Sequence, residues 1–226
     1  MIKQLETIEV QTGPDPQFSV IWLHGLGADG YDFEPIVSEL GLPASAAVRF
    51  VFPHAPVRPV TINGGIPMRA WFDIMGIDRS AAQDETGIRE SAGLVARLIA
   101  AEQTRGIGEE RIVLAGFSQG GAIALHLGLR RRGPLAGIMA LSCYLPLSHL
   151  VEAEHDDGMN STPVFMAHGS GDPVIPIALG RAAYEQVAAL GLLAEWHEYP
   201  MPHAVCPQEI RDIGHWITRV FDLPAQ

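Results

Sequence analysis

RIVLAGFSQGGAIAL, running from Arg111 to Leu125, decides how the rest of the chain is read. Arg111 to Ala115 is a short apolar run of the kind that forms a buried strand. It enters Gly116-Phe117-Ser118-Gln119-Gly120, the pattern G-x-S-x-G, and the small, helix-forming residues Ala122 to Leu129 follow. A serine displayed on a sharp strand-to-helix turn adopts strained backbone angles, and side chains two residues to either side would collide there. The turn also sets Ser118 at a helix N-terminus, where amides and the helix dipole favour negative charge. The plainer alternative is a glycine-rich turn with a capping serine.

Outward from this segment the pattern repeats. Strands are expected at Phe18–Leu23, Val48–Phe52, Leu135–Leu141, Pro163–Ala167 and Ala194–Tyr199. Helical spacing of apolar residues marks Ile88–Gln103, Pro176–Leu190 and Pro207–Phe221. Such alternation over the whole length points to an α/β fold, one domain with a parallel sheet covered on both faces. The longest irregular stretches are Pro53–Ala82 and Ser142–Thr162, and loops of that length are often functional.

A serine hydroxyl needs a base and a group to orient that base, in the chain order Ser, Asp or Glu, His on this kind of sheet. Asp172, in His168-Gly-Ser-Gly-Asp172-Pro173, follows the strand Pro163–Ala167; His203, in Tyr199-Pro-Met-Pro-His203, follows Ala194–Tyr199. Open α/β sheets place their sites at this C-terminal edge. Asp156 and Asp157 are rival acids, but they precede the relevant strand, so placement favours Asp172. Of the nine histidines, His24 and His168 fit a role in organising loops, and His126 and His215 fall in helices where packing or exposure explains them. His54, His149, His155 and His197 have no matching partner pattern, which leaves His203 as the base.

Acyl transfer also needs amide donors for the oxyanion. The amide of Gln119, just after the nucleophile, and that of Leu26, in Gly25-Leu26-Gly27 after the first strand, are the candidates. The same loop reads Gly25-Leu-Gly27-Ala-Asp-Gly30, which matches the dinucleotide fingerprint G-x-G-x-x-G. That fingerprint also wants an acid near the end of the next strand, and no Asp or Glu occurs between Glu39 and Asp73. P-loop, HExxH and CxxC patterns are absent, so neither cofactor nor metal is expected.

Bulk properties agree with this reading. Fifteen Lys+Arg against 26 Asp+Glu give a formal net charge of −11, a poor field for nucleic acid or an anionic membrane surface. No apolar run approaches the ~20 residues of a membrane span, and Met1 to Thr7 lack the n-region of a secretory signal. Two cysteines, Cys143 and Cys206, make neither a disulfide framework nor a four-cysteine zinc site, so a reducing cytoplasm is the expected setting.

Taken together, six segments resemble the small carboxylesterases of the phospholipase/carboxylesterase group, which includes bacterial esterases, lysophospholipases and acyl-protein thioesterases. They are LHGLGADGYDF (Leu23 to Phe33), FPHAPVRPVTINGGIPMRAWFDI (Phe52 to Ile74) and GFSQGGAIAL (Gly116 to Leu125), then LSCYLPL (Leu141 to Leu147), HGSGDPVIP (His168 to Pro176) and YPMPHAVCPQEI (Tyr199 to Ile210). The resemblance implies an α/β-hydrolase fold, with Ser118 as nucleophile, His203 as base, Asp172 as its partner, and Leu26 and Gln119 as oxyanion donors. Pro202 and Ala204 stand where many relatives have Gly and Ser.

The substrate is expected to be a small ester with a short to medium acyl chain, thioesters included. Segments between the catalytic positions are too short for a separate cap domain. Ile62, Ile66, Met68, Trp71, Phe72, Ile74 and Met75 make the first long loop apolar, which suits an acyl chain, although core packing accounts for most of them equally well. The resemblance adds Tyr144 and Ile175 as pocket neighbours, and a homodimer as an assembly.

Overall fold

The computed structural model describes residues 4–76, 82–156 and 161–224. In chain order its strands are β1 (Thr7–Gln11), β2 (Phe18–Leu23), β3 (Val48–Pro53), β4 (Val57–Val60), β5 (Ile66–Arg69), β6 (Ile112–Phe117), β7 (Gly137–Leu141), β8 (Pro163–Gly169) and β9 (Leu193–Tyr199). The α-helices are α1 (Glu85–Thr104), α2 (Gln119–Gly128), α3 (Val151–Glu154), α4 (Ile177–Ala189) and α5 (Pro207–Val220).

Strand β2 shows why the sheet forms. Phe18-Ser-Val-Ile-Trp-Leu23 is buried at every position but the first, so both faces must be covered. Val20 and Trp22 point into one core with Phe50, Phe52, Val113 and Phe165, roofed by α5 and the 3₁₀ segment Glu34–Glu39. Ile21 and Leu23 point into the other core, with Ile88, Val95 and Ile99 of α1, Ile123 of α2 and Val187 of α4. The sheet order is β1-β3-β2-β6-β7-β8-β9, and every pairing is parallel except β1 with β3.

Register sets the site. Leu23 of β2 pairs with Gly116 of β6, Phe117 with Leu141 of β7, and Gly169 of β8 with Tyr199 of β9. The turns that follow β2, β6, β8 and β9 therefore emerge at one edge, the C-terminal edge of the parallel strands.

Three features differ from the sequence expectation. The edge strand β1 has only Ile8 and Val10 packed on the core and is otherwise exposed or half-buried, so it lacked a buried-strand pattern. Helix α1 starts at Glu85, three residues before its first large apolar residue, because Asp84 caps it by accepting the Gly87 amide. Within Pro53–Ala82, expected to be irregular, β4 and β5 form an antiparallel hairpin whose Pro59 faces Pro67. Its turn, Thr61–Asn63, ends on Gly64 and Gly65 at φ 69° and 78°, a region glycine enters without strain.

Candidate active site

Ser118 stands between β6 and α2 at φ 55° and ψ −120°, backbone angles that cost a non-glycine residue about 1–3 kcal/mol. The surroundings hold it there. Its amide donates to Leu141 O at 2.8 Å, and its carbonyl accepts the Ala122 amide at 3.0 Å. A Cβ on Gly116 would lie 2.3 Å from the Gly120 carbonyl carbon, and one on Gly120 would lie 2.4 Å from Leu23 O. Both glycines are thus imposed by backbone crossing backbone.

Asp172 and His203 come from two loops that are locked together. Ser170 N donates to Tyr199 O, Gly171 N donates to Met201 O, and a Cβ on Gly169 would strike Pro202 O at 2.4 Å. Asp172 is buried; its Oδ1 accepts the amides of Val174 (2.8 Å) and Ile175 (2.9 Å). Its Oδ2 lies 2.6 Å from His203 Nδ1, and His203 Nε2 lies 2.9 Å from Ser118 Oγ. An ionised carboxylate only accepts, so Nδ1–H donates to Asp172 and Nε2 presents its lone pair to the serine hydroxyl. The structure brings together the three residues singled out in the sequence. Asp156 lies elsewhere, at the end of α3, and Asp157 is outside the described residues.

The loop after β2 packs on the nucleophile, for a Cβ on Gly25 would lie 3.5 Å from Ser118 Cβ. Gly27 N donates to Arg69 O and Ala28 N to Gly25 O, whereas the Leu26 amide between them has no acceptor among the described residues. Ala122 N is the first amide of α2 to close a bond, onto Ser118 O, so the Gln119 amide is likewise free. Free amides near a serine hydroxyl are groups that can meet a developing negative charge.

Other histidines support this framework. His24 accepts the Ala55 amide on Nε2 and donates from Nδ1 to Gly25 O; burial holds it neutral, its pKa pushed down to about 4. His168 donates from Nε2 to Ile175 O beneath Asp172, and burial lowers its pKa as well. His126 is buried in α2, pushed down to about 3 by burial and then by Arg130 and Arg89, and His215 is exposed.

The pocket residues expected from sequence divide. Trp71 has no exposed surface: its indole N–H donates to His24 O and its backbone N–H to Gln119 Oε1, so it is core and cannot line a pocket. Ile175 is buried, Ile74 and Tyr144 are half-buried against the core, and Met75 is exposed. Two features had no signal in the sequence. One is the Gln119 side chain, which also donates to Phe72 O (2.7 Å) and so ties the Trp71–Phe72 segment to the elbow. The other is a cavity of about 400 Å³ beside His203, between Phe33, Ile36, Phe117 and Ile210. Among the described residues no group of three or more His, Cys, Asp or Glu could hold a metal, and no helix is long and apolar enough to cross a membrane.

Comparison with known proteins agrees with this architecture. The profile of the phospholipase/carboxylesterase family matches residues 5–221. The chain belongs to that family. Acyl-protein thioesterase 1 of Mycosarcoma maydis is 39% identical over 97% of both chains. Among solved structures, acyl-protein thioesterase 2 of Zea mays superposes with a TM-score of 0.86 at 27% identity, covering 96% of this chain and 99% of the other. Arabidopsis thaliana SOBER1 gives 0.84 at 30% identity, over 90% and 98%. The family and these relatives establish an α/β-hydrolase fold and a hydrolase.

Proposed function

We propose that this single-domain hydrolase is a serine carboxylesterase that cleaves short- to medium-chain carboxylic esters through an acyl-enzyme. The observation that carries the reading is the continuous hydrogen-bond chain from Asp172 through His203 to Ser118, which ends beside the free amides of Leu26 and Gln119.

The chemistry follows from those positions. Ser118 Oγ attacks the ester carbonyl while its proton passes to His203 Nε2. Asp172, fixed by two backbone amides, holds the imidazole in the right tautomer and stabilises the imidazolium. The carbonyl oxygen, now negative, is met by the Leu26 and Gln119 amides; removing one such donor typically costs about 3 kcal/mol of transition-state stabilisation. The C–O bond then breaks, its electron pair leaves with the alcohol oxygen, and that oxygen takes the proton from Nε2. Water, deprotonated by the same imidazole, attacks the acyl-enzyme, and collapse of the second intermediate returns the proton to Ser118.

A thioester would pass through the same steps, and the names of the curated relatives favour acyl-protein thioesterase activity as the second reading. A lysophospholipase would again share the machinery. Rates on p-nitrophenyl acetate, butyrate and octanoate, set against an acyl thioester and a lysophospholipid, test the choice. The first reading expects the butyrate or octanoate ester to have the highest kcat/KM. A thioester that outruns every oxygen ester at least tenfold would replace it with the second.

A further inference from the structure

The cavity beside His203 is lined by residues from four separate segments. Its floor is apolar and partly aromatic: Phe33, Ile36, Phe117 and Ile210, with the Phe33 and Phe117 ring centroids 5.5 Å apart. Its rim carries two exposed carboxylates, Asp32 and Glu39, and among the described residues neither makes an ion pair or a side-chain hydrogen bond. No Lys or Arg lines it.

The mechanism says which end of a substrate faces this space. As the tetrahedral intermediate collapses, His203 Nε2 must reach the leaving oxygen, so that oxygen sits within hydrogen-bond distance of the imidazole. The oxyanion is turned to the Leu26 and Gln119 amides instead. Substituents of the leaving group therefore run along the wall built from His203, Ala204 and Val205, which is a wall of the cavity. Aromatic rings in a cavity whose rim carries unpaired carboxylates suit an alkylammonium ion.

We propose that this cavity is the leaving-group subsite and that it selects esters whose alcohol carries an alkylammonium cation a few bonds from the ester oxygen. The inference rests on the Ser118–His203–Asp172 reading. In the reaction the departing ammonium alcohol takes the Nε2 proton with the electron pair of the broken C–O bond, and its cation stays in the cavity until product leaves.

The test compares butyrylcholine with 3,3-dimethylbutyl butyrate, its uncharged carbon isostere, each kcat/KM divided by the ester's hydroxide-catalysed rate constant. The wild type should favour the cationic ester about five- to twentyfold at low ionic strength, and the preference should at least halve at about 0.5 M NaCl as screening sets in. In the Asp32→Asn, Glu39→Gln double variant the ratio should fall at least about threefold. A corrected wild-type ratio near one, or a ratio that neither salt nor the double variant moves, overturns the inference; the wild-type salt series decides alone if the variant is inactive. p-Nitrophenyl butyrate separates the two levels. Turnover that Ser118→Ala abolishes, without any cationic preference, sinks only the subsite, whereas no turnover of any ester sinks the triad reading as well.

Discussion

Gly120 of α2 crosses the end of β2 so closely that a Cβ on it would lie 2.4 Å from the carbonyl oxygen of Leu23. The Ser118 turn and the start of the loop after β2 are thus held against each other by backbone contact, with no room for a Cβ between them. Gly120→Ala must push one of them away, so kcat/KM should fall at least about tenfold with about 1–3 kcal/mol of stability lost. Gly93, inside α1, has nothing within 4 Å of its Cβ direction. Gly93→Ala should therefore stabilise by about 0.5–1 kcal/mol with activity intact. Urea unfolding and p-nitrophenyl butyrate turnover of both variants check this; equal effects would contradict the steric argument.

Gln119, whose backbone amide is the proposed oxyanion donor, has a side chain that independently satisfies Trp71 N and Phe72 O. Gln119→Ala keeps the amide but leaves those two buried groups without partners. Its expected cost is about 2–4 kcal/mol in stability, since each buried orphan costs about 1–3 kcal/mol. Chemical denaturation that placed the variant within 0.5 kcal/mol of the wild type would show that the Trp71–Phe72 segment does not depend on this link.

Asp172→Asn retains an oxygen for the Val174 and Ile175 amides, so the loop should stay folded. Its new amide N–H₂ would face His203 Nδ1 and favour the tautomer whose Nε2 carries the proton, where it cannot receive one from Ser118. We expect kcat to fall about 10³–10⁴-fold with little change in melting temperature. Activity within tenfold of the wild type would remove Asp172 from the mechanism.

Glu209, in the first turn of α5, is fully buried, and among the described residues no cation pairs with its carboxylate. Burial pushes its pKa up to about 8, well above the usual carboxylate range; a backbone hydrogen bond from Cys206 pulls it down only in part. The folded state therefore holds a proton that the unfolded chain releases, so this contribution is complete below about 4.5 and is lost as pH rises through about 8. Glu209→Gln removes that dependence. Its stability relative to wild type should rise between pH 5 and 8 by about 1.4 kcal/mol per unit at most, read from urea midpoints. A gap that stays constant with pH would mean that Glu209 does not titrate in this range.

The chain announces what is buried on both faces or forced by backbone contact. Phe18 to Leu23 is nearly all core, so it reads as a strand, and the glycines around Ser118 mark a crossing of chains that tolerates no Cβ. β1 was hidden because an exposed edge carries little apolar pattern, and β4 and β5 because Pro59 and Pro67 argue against a strand until they are seen facing each other. Asp172 and His203 could be placed because each follows a strand end. Trp71 could not, because an apolar residue in a long loop looks the same in sequence whether it lines a cleft or fills the core. The cavity beside His203 had no local signal at all, for Phe33, Phe117, His203 and Ile210 come from four separate segments.

The central claim is that Ser118 is a nucleophile activated by His203. A fluorophosphonate probe, followed by mass spectrometry of wild type and Ser118→Ala, tests it most directly, with p-nitrophenyl butyrate turnover measured on the same samples. The account predicts one phosphonyl adduct, on the peptide carrying Ser118, together with turnover, and the loss of both in the variant. Folded wild-type protein that takes up no probe and turns over no ester would contradict it, and would leave an α/β-hydrolase scaffold without catalysis.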